Sequence, residues 1–556
     1  MMTNPLTQLE IDLNTLQSTL SHGYTVDRIE QEVLPPFLKK ARWFGGKARS
    51  LHHVRILEAH YMLSHKEETV YLLLLNVFYQ DETVEVYQVP FAYTTKNIEI
   101  LKTRFPQAMI GSYLYAGEEG VFYDAVYSEA YRKYLWEMLV HQQVITTTHG
   151  NIYFESNALF AQHITTHKGI IPTSTVLAVE QSNTTINYGD AFFLKLYRKL
   201  ANTINPDIEI NRFFVEKTSF KNTAAFAGSI ELKGANSECI VLAMVQEMVI
   251  NKGNGWAVLS TEVENFYTKV LALPTTLQKQ LPNTWNLHTL KDNAIPTDLQ
   301  ELLGKTVCDT ITLLGKRTAE MHIALASQPT IADFAPEKFT MEYQNYLYNH
   351  LTGHINDKLN FLQTICTSLP TTIQTDVDKI LHAKDKILAV FEPLKTVPIC
   401  AMRTRIHGDY QVGQLLFTGT DFVIIDFEGE PATPITERKA KYAVFKDVAG
   451  MIRSFQYVAH APRIQQATFK NRDTTMLTLW AETWYLCIRD CFLESYLTTL
   501  GASELVPRDK KSMQLLLTIY LMEKAMYEVC YEVNNRPTWL PIPLYGVVKL
   551  IADEYV

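Results

Sequence analysis

The chain of 556 residues has few cysteines, no long apolar run and no excess of positive charge. Its seven cysteines are scattered and form no CxxC pair, which argues against a disulfide framework and favours a reducing compartment, the cytoplasm. The longest apolar run, residues 70–77, is interrupted by Asn76 and is far too short for a membrane span. Residues 1–12 are polar and lack the pattern of a secretion signal. A net charge of -8 argues against nucleic acid or an anionic membrane as the main partner.

The rest of the composition, 47% hydrophobic and 20% charged, is that of an ordinary globular protein. A chain of this length exceeds one hydrophobic core, so several domains are expected. Apolar and alternating patterns predict strands at residues 54–61, 70–79, 83–90, 175–179, 191–196 and 240–248. Beyond residue 255 the pattern is helical, apart from strands at residues 415–417 and 422–426. These changes divide the sequence into residues 1–95, 96–250 and 251–556.

One constellation carries most of the functional information. Residues 406–414 read IHGDYQVGQ, and residues 423–430 read VIIDFEGE. Kinase-type phosphotransferases need one carboxylate to take the proton of the acceptor hydroxyl, and an amide with a second carboxylate to hold Mg²⁺ against the ATP phosphates. The spacing therefore predicts Asp409 as the base and Gln414 and Asp426 as metal ligands. It predicts an α+β fold of the bilobal protein-kinase type, with a mixed α/β N-lobe and a mainly helical C-lobe.

The same fold requires a lysine and a glutamate upstream, and the sequence contains both in the expected order. Lys195 lies in an apolar strand at residues 193–197, and a helix that begins at Pro206 then presents Glu209. A lone strand lysine more often reaches into solvent. Its position between a polar turn and Glu209 favours an ion pair that orients the phosphates of ATP.

Two further segments are weaker candidates for nucleotide contacts. The turn at residues 180–185 lacks a GxGxxG motif but offers donors to phosphate oxygens, or is an ordinary hairpin turn. Its candidate residues are Ser182, Asn183 and Thr184. The strand at residues 241–249 either runs into a hinge whose main chain binds adenine or is a plain core strand. Its candidate residues are Gln246, Glu247, Met248 and Val249.

The neighbours of the proposed catalytic loop have roles that the sequence leaves open. His407 braces the loop or contacts the substrate, and Glu428 is a surface acid or faces the metal or the sugar. Asp447 opens a helix, where it either caps the helix or braces the loop. Tyr527 and Glu528 give the C-terminal helix an aromatic face and a carboxylate suited to a sugar, although stripes at helical spacing more often pack in a core.

These motifs, with others along nearly the whole chain, resemble a known family, the maltokinases, which are bacterial relatives of the aminoglycoside phosphotransferases. The blocks that carry the resemblance are RWFGGK (42–47), EQSNT (180–184), NPD (205–207), RTAEMH (317–322), DFEGEP (426–431), KDVAGM (446–451) and EKAMYE (523–528). The resemblance implies a kinase-like fold with an N-terminal cap domain over residues 1–95. It implies Mg·ATP-dependent phosphorylation of maltose at the anomeric hydroxyl, giving maltose 1-phosphate for α-glucan (glycogen) synthesis, and trehalose synthase as a partner.

The chain departs from this family at one informative place. The family loop reads HGDYHLGQ, whereas Gln411 and Val412 here replace the second histidine and the leucine. Asp409 and Gln414 are intact, so phosphoryl transfer is still expected, but Gln411 lies beside the acceptor and bears on sugar choice. Related kinases with the same cap phosphorylate glucosamine, which is the alternative substrate. A pseudokinase or carbohydrate-binding regulator is the alternative of a different class, and it would not need Lys195 or Asp426.

Overall fold

The apolar runs of the first half of the sequence form two sheets in the computed structural model of the chain. The structure describes residues 8–10, 24–66, 68–148, 150–177, 182–234, 239–284, 296–431, 433–466, 469 and 474–552, and all structural statements here concern these residues. They form two compact units. The first comprises Met1–Glu209 and Ala224–Met248, and the second comprises Ile210–Thr223 and Val249–Val556.

The first unit contains most of the strands. They are β1 (Gln8–Glu10), β2 (Leu51–His65), β3 (Glu68–Tyr79), β4 (Val84–Thr94), β5 (Met109–Tyr115), β6 (Glu118–Asp124), β7 (Val144–Thr146), β8 (Gly150–Ser156), β9 (Ser174–Val176), β10 (Thr184–Tyr188), β11 (Phe192–Leu196), β12 (Lys199–Leu200), β13 (Phe226–Gly234) and β14 (Cys239–Glu247). Its helices are α1 (Tyr24–Arg28), α2 (Leu34–Lys40), α3 (Ile98–Arg104), α4 (Glu129–Val140), α5 (Ala158–Thr166) and the start of α6 (Pro206–Lys217).

The first sheet has the strand order β1-β5-β6-β4-β3-β2, with β12 paired to β4. Strand β3 is the apolar run that stood out in the sequence, and it lies between β2 and β4 in antiparallel register, Leu73 facing Ala59 on one side and Val89 on the other. Its side chains pack in the core of this sheet together with Trp43 and Phe44 of the RWFGGK turn. The apolar character of β3 therefore reflects a central strand with both neighbours in place.

The second sheet has the order β7-β8-β13-β14-β11-β10-β9. It is antiparallel throughout its described pairings, and β11 lies between β10 and β14. Lys195 on β11 is opposite Thr185 on β10 and Met244 on β14. This register places the predicted lysine in the middle of a buried sheet.

The second unit is mainly helical. Its helices after α6 are α7 (Gly255–Ala272), α8 (Thr275–Thr284), α9 (Thr297–Leu303), α10 (Lys305–Leu325), α11 (Met341–Ile365), α12 (Thr371–His382), α13 (Lys384–Ala389), α14 (Ile435–Arg438), α15 (Phe445–Gln465), α16 (Thr474–Leu500), α17 (Lys510–Asn535) and α18 (Pro541–Ile551). Two short antiparallel strand pairs lie among them: β15 (Glu337–Lys338) pairs with the distant β16 (Met402–Arg403), and β17 (Leu415–Phe417) forms a hairpin with β18 (Phe422–Ile424).

The apolar faces of these helices share one core, which also surrounds the predicted catalytic loop. It includes Tyr410, Val412 and Phe427 beside residues of α10, α15 and α16. The predicted α+β class is confirmed, with sheets in the first part and helices in the second. The three-part division at residues 95 and 250 stays a prediction. Among the described helices, none combines the length and the apolar character that a membrane crossing requires.

Candidate active site

The hairpin of β17 and β18 brings the two predicted metal ligands together. Leu415 pairs with Ile424, and the N–H of Ile425 donates to the carbonyl of Gln414 at 3.0 Å. As a result the side-chain amide of Gln414 donates to Oδ2 of Asp426 at 3.2 Å. Asp426 itself has φ = 67°, a left-handed conformation that only a few per cent of non-glycine residues adopt.

This donor set suits a hard divalent cation. A carboxylate oxygen of Glu428 lies within 4.8 Å of a carboxylate oxygen of Asp426, so two acids and an amide converge on one side of the hairpin. Mg²⁺ prefers carboxylate and amide oxygens of this kind. The geometry therefore favours the metal-facing alternative for Glu428, while the metal role of all three residues stays a prediction.

The side chain of Asp447 supports the backbone of the predicted catalytic loop. The carboxylate of Asp447 is 1% exposed and accepts the N–H groups of His407 at 2.7 Å and Gly408 at 2.9 Å. It also accepts from Nε2 of His322 at 3.1 Å, and Nδ1 of that ring lies 2.8 Å from the hydroxyl of Tyr496. Burial alone would raise the pKa of Asp447, but these donors lower the pKa below its ordinary value. Of the two roles considered for Asp447, bracing is the one that the contacts support.

His407 is part of the same support. Its Nε2 donates to the carbonyl of Ile425 at 2.9 Å, which ties the catalytic loop to the strand that leads to Asp426. The ring packs against Tyr410 at 5.2 Å and Phe427 at 4.8 Å between centroids, and the residue is 1% exposed. This burial favours the bracing alternative over substrate contact.

Two glycines allow helices to contact the backbone of the loop. A Cβ at Gly255 on α7 would lie 2.5 Å from the carbonyl oxygen of Val412. A Cβ at Gly450 on α15 would lie 2.7 Å from the carbonyl oxygen of Tyr410. Both distances are too short for a real methyl group, so only glycine permits these approaches. Gly450 belongs to the KDVAGM block, and its close contact with the loop gives that block a physical reason.

Asp409, the predicted base, keeps 17% of its side chain exposed. Its Oδ1 lies 3.3 Å from the ammonium group of Lys524 on α17, and its Oδ2 lies 3.5 Å from the side-chain amide of Gln411. Lys524 also lies 3.7 Å from Oε2 of Glu430. Lys524 was not predicted from the sequence; the only signal for it was its place in the EKAMYE block beside Tyr527.

The two residues of α17 that were predicted to contact the sugar have different surroundings. Glu528 is buried, and its Oε2 accepts Nε and Nη2 of Arg453 at 2.9 and 2.6 Å. Such a pair holds helices α15 and α17 together. Tyr527 is half-buried, and its ring centroid lies 5.0 Å from Nζ of Lys524 and 5.3 Å from Nζ of Lys358. Tyr527 therefore lies beside the loop, whereas Glu528 has a structural partner.

In the first unit, Lys195 has a carboxylate partner at the start of α6. Its Nζ donates to Oδ2 of Asp207 at 2.9 Å, and the hydroxyl of Tyr197 donates to the same oxygen at 3.2 Å. Asp207 is fully buried. The predicted pairing of Lys195 was with Glu209, which follows on the same helix and is half-buried, and that pairing stays a prediction. Asp207 stood in the NPD block but was not recognised as a partner.

The predicted phosphate turn is only partly described, since residues 178–181 lie outside the described set. Ser182 is exposed and Asn183 is buried. The hydroxyl of Thr184 accepts Nε of Arg198 at 2.8 Å, and Nη2 of Arg198 binds Asp124 at 2.6 Å. The hydroxyl of Thr184 therefore supports an internal ion pair, and phosphate contacts of this turn stay a prediction.

Arg198 also explains the RWFGGK turn. Its guanidinium lies 4.6 Å from the ring centroid of Trp43, and Trp43 and Phe44 both pack against Tyr87. The turn is thus built into the first sheet and its ion pair.

The predicted hinge is the end of β14. The N–H of Glu247 donates to the carbonyl of Ala225 at 2.9 Å, and the N–H of Met248 donates to the carbonyl of Ala191 at 2.8 Å. The side-chain amide of Gln246 donates to the carbonyl of Ala224. Since these donors are engaged within the first unit, they do not support the predicted adenine contacts. Adenine binding by Val249 stays a prediction.

Comparison with known proteins identifies a domain in the first part of the chain. Residues 37–127 match the family described as the maltokinase N-terminal cap domain. The chain carries a maltokinase-type cap. The resemblance drawn from the separated motifs is confirmed at this domain.

Two relatives that match half of the chain are named glucosamine kinases. The one from Streptacidiphilus jiangxiensis is 24% identical over 305 residues, covering 50% of this chain and 63% of the relative. The one from Mycolicibacterium smegmatis is 24% identical over 297 residues, with the same 50% and 63% coverage. The alignments thus span less than two thirds of those proteins.

Solved structures show the fold over nearly the full chain. A glucosamine kinase in complex with glucosamine, ADP and inorganic phosphate matches with a TM-score of 0.58 and 15% identity, covering 95% of this chain and 99% of that one. A second crystal form of glucosamine kinase gives 0.58 and 16%, covering 91% and 96%. The predicted kinase-like fold with an N-terminal cap is confirmed.

Proposed function

We propose that the protein is an ATP-dependent sugar kinase that phosphorylates maltose at the anomeric hydroxyl to give maltose 1-phosphate, a precursor for α-glucan (glycogen) synthesis. The observation that carries the proposal is the meeting of Gln414 and Asp426 at 3.2 Å on the hairpin that follows the Asp409 loop. The maltokinase-type cap supports maltose as the acceptor. A cytoplasmic location and trehalose synthase as a partner belong to the same proposal.

In the proposed reaction, Asp409 takes the proton of the acceptor hydroxyl through its Oδ2. The hydroxyl oxygen forms a bond to the γ-phosphorus of ATP as the bond from that phosphorus to the β–γ bridging oxygen breaks, and ADP leaves. Gln414 and Asp426, with Glu428 beside them, would hold Mg²⁺, which when bound neutralises charge on the phosphates. Lys195, oriented by Asp207, would grip the nucleotide.

The bracing of its loop supports Asp409 as the base. Its loop is tied to Asp447 through two N–H groups and to the strand before Asp426 through His407. A base must be held within about 0.5 Å of its productive position, at hydrogen-bond distance from the hydroxyl, and such bracing provides that precision.

Glucosamine is the second candidate acceptor. The relatives named glucosamine kinases support it, as does Gln411, whose amide lies beside Asp409 where the maltokinase loop has histidine. Glucosamine has an amine at C2, whereas maltose has a hydroxyl there and a second glucose unit at O4. Gln411 is therefore the residue to exchange in testing the choice.

A sugar panel tests both candidates. Purified protein is incubated with Mg·ATP and maltose, glucosamine, glucose or an aminoglycoside, and ADP release is followed by a coupled assay. The position of the phosphate is read by ³¹P NMR, in which an anomeric phosphate couples to the anomeric proton. The proposal expects maltose to give the highest kcat/KM. Sugar binding without ADP release would instead support a non-catalytic regulator, and faster turnover of glucosamine would change the substrate.

A further inference from the structure

The ammonium group beside Asp409 comes from a distant part of the chain. Nζ of Lys524 on α17 lies 3.3 Å from Oδ1 of Asp409 and 3.7 Å from Oε2 of Glu430. Residues 406–414 contain no lysine or arginine, so the loop itself brings no cation to its carboxylate. Helix α17 is 26 residues long and packs against α15, which makes it a rigid support for this lysine.

The surroundings of Lys524 keep it charged. Burial lowers the pKa of its ammonium group, but the carboxylates of Asp409, Glu430 and Glu528 together raise it by more, so the pKa is above its ordinary value. The face of the Tyr527 ring lies over the same ammonium, with 5.0 Å between Nζ and the ring centroid. A lysine in this setting stays a cation through the pH range in which a kinase works.

The two oxygens of Asp409 have different neighbours. Oδ1 faces the Lys524 ammonium, whereas the contact of Oδ2 with the Gln411 amide is long, at 3.5 Å. A contact of that length is a weak hydrogen bond. The arrangement therefore holds one oxygen and leaves the other able to take a proton.

We propose that Lys524 is a positioning residue for phosphoryl transfer: it fixes Oδ1 of Asp409, directs Oδ2 at the acceptor hydroxyl, and leaves a cation beside the newly phosphorylated oxygen. The inference rests on the proposed sugar kinase function. During transfer the hydroxyl proton moves to Oδ2 of Asp409, the oxygen–phosphorus bond forms, the bond to ADP breaks, and Lys524 keeps its own protons. The product carries two negative charges close to Asp409, which the ammonium group offsets.

A matched lysine provides the control. Lys446 on α15 forms an ion pair with Glu523, the residue before Lys524 on α17, at 2.8 Å. It therefore links the same two helices. Lys446→Met removes a lysine–carboxylate pair from this interface without touching the contact between Asp409 and Lys524.

The test compares Lys524→Met, Lys524→Arg and Lys446→Met with the wild type. Loss of a charge-assisted hydrogen bond at the base should lower kcat of Lys524→Met by about 10- to 100-fold, with KM for ATP within about twofold of wild type. Lys524→Arg keeps the charge and should therefore recover at least about a third of the loss in the logarithm of kcat. The recovery is incomplete because the guanidinium group of arginine has a different shape and reach from the ammonium group of lysine. Lys446→Met should keep the wild-type kcat. The thermal unfolding midpoints of the two Lys524 variants should agree, which separates positioning from stability.

Each outcome decides the proposal. Lys524→Met with kcat within threefold of an active wild type, or an equal loss in Lys446→Met, overturns the positioning role and leaves the sugar kinase function standing. An arginine variant that is no more active than the methionine variant also overturns it. A wild type that transfers phosphate to no sugar overturns the proposed function, and this inference with it.

Discussion

Replacing Asp447 by asparagine should loosen the catalytic loop without removing any group that takes part in the proposed chemistry. The carboxylate receives three donors: the N–H groups of His407 and Gly408, at 2.7 and 2.9 Å, and Nε2 of His322 at 3.1 Å. Asparagine has the same shape, but it loses the charge and turns an NH₂ group toward one of these donors. Charge-assisted hydrogen bonds contribute about 1.5–3 kcal/mol each and neutral ones about 1 kcal/mol, so the expected loss of stability is about 3 kcal/mol.

The loss of activity should be large as well. A loop displaced by about 1 Å costs on the order of 100-fold in rate, so kcat should fall by that amount with KM for ATP little changed. Urea unfolding followed by circular dichroism measures the stability, and the coupled ADP assay measures kcat. Asp421→Asn is the control, because Asp421 pairs with Arg317 at a partly exposed position away from the loop.

The pH dependence of this difference gives an independent check. The folded-state pKa of Asp447 is below its ordinary value, so its contribution is complete above the unfolded pKa of about 3.9 and is lost as pH falls through the folded pKa. The stability gap between wild type and Asp447→Asn should therefore be constant from pH 8 to about pH 5 and shrink in stronger acid. If Asp447→Asn unfolds with the wild-type free energy and keeps its kcat, the bracing role is refuted.

Three further predictions concern other parts of the second unit. Gly450→Ala places a methyl group against the carbonyl of Tyr410 and should lower kcat at least about 10-fold. The control Gly353→Ala, in open space on α11, should leave kcat unchanged and be neutral or stabilising by about 0.5 kcal/mol. Equal effects of the two variants on kcat would contradict the close contact of Gly450 as the cause. His460 is buried and accepts a hydrogen bond from Nη1 of Arg463 at 2.9 Å, and burial lowers its pKa. Its contribution to stability is therefore complete above pH 6.5 and is lost as pH falls, by at most about 1.4 kcal/mol per pH unit. His460→Gln should flatten this part of the pH dependence of the unfolding free energy, measured with urea. Glu528→Gln removes the carboxylate that pairs with the buried Arg453, so it should lower the unfolding free energy by about 3 kcal/mol and leave the sugar KM unchanged. Tyr527→Ala should instead raise the sugar KM more than the ATP KM. The reversed pattern would exchange the roles of the two residues.

The parts of the fold that sequence predicted well are those that local patterns determine. The hairpin at residues 415–424 follows from two short apolar runs and a turn, and antiparallel pairing then fixes which side chains meet at its open end. For that reason Gln414 and Asp426 were predicted together and are found together. The apolar run at residues 70–79 likewise predicted a strand, and β3 is found there.

The partners that sequence missed depend on orientations and long-range packing. Asp207 lies on the first turn of α6, and the direction in which that helix faces the sheet brings its carboxylate to Lys195. Lys524 is 115 residues from Asp409, so no spacing connects them. The hydroxyl of Thr184 meets the buried Arg198, a contact that depends on how the strand is oriented. None of these choices is encoded in a local motif.

The most direct test of the central claim is the turnover of Asp409→Asn beside its affinity for Mg·ADP. If Asp409 takes the proton of the acceptor sugar, kcat should fall by on the order of 1,000-fold or more, since a positioned general base contributes about 100- to 10,000-fold. The dissociation constant for Mg·ADP, measured by isothermal titration calorimetry, should stay within about twofold, because the nucleotide is gripped by other residues. A variant that retains more than about a tenth of the wild-type kcat would contradict the account.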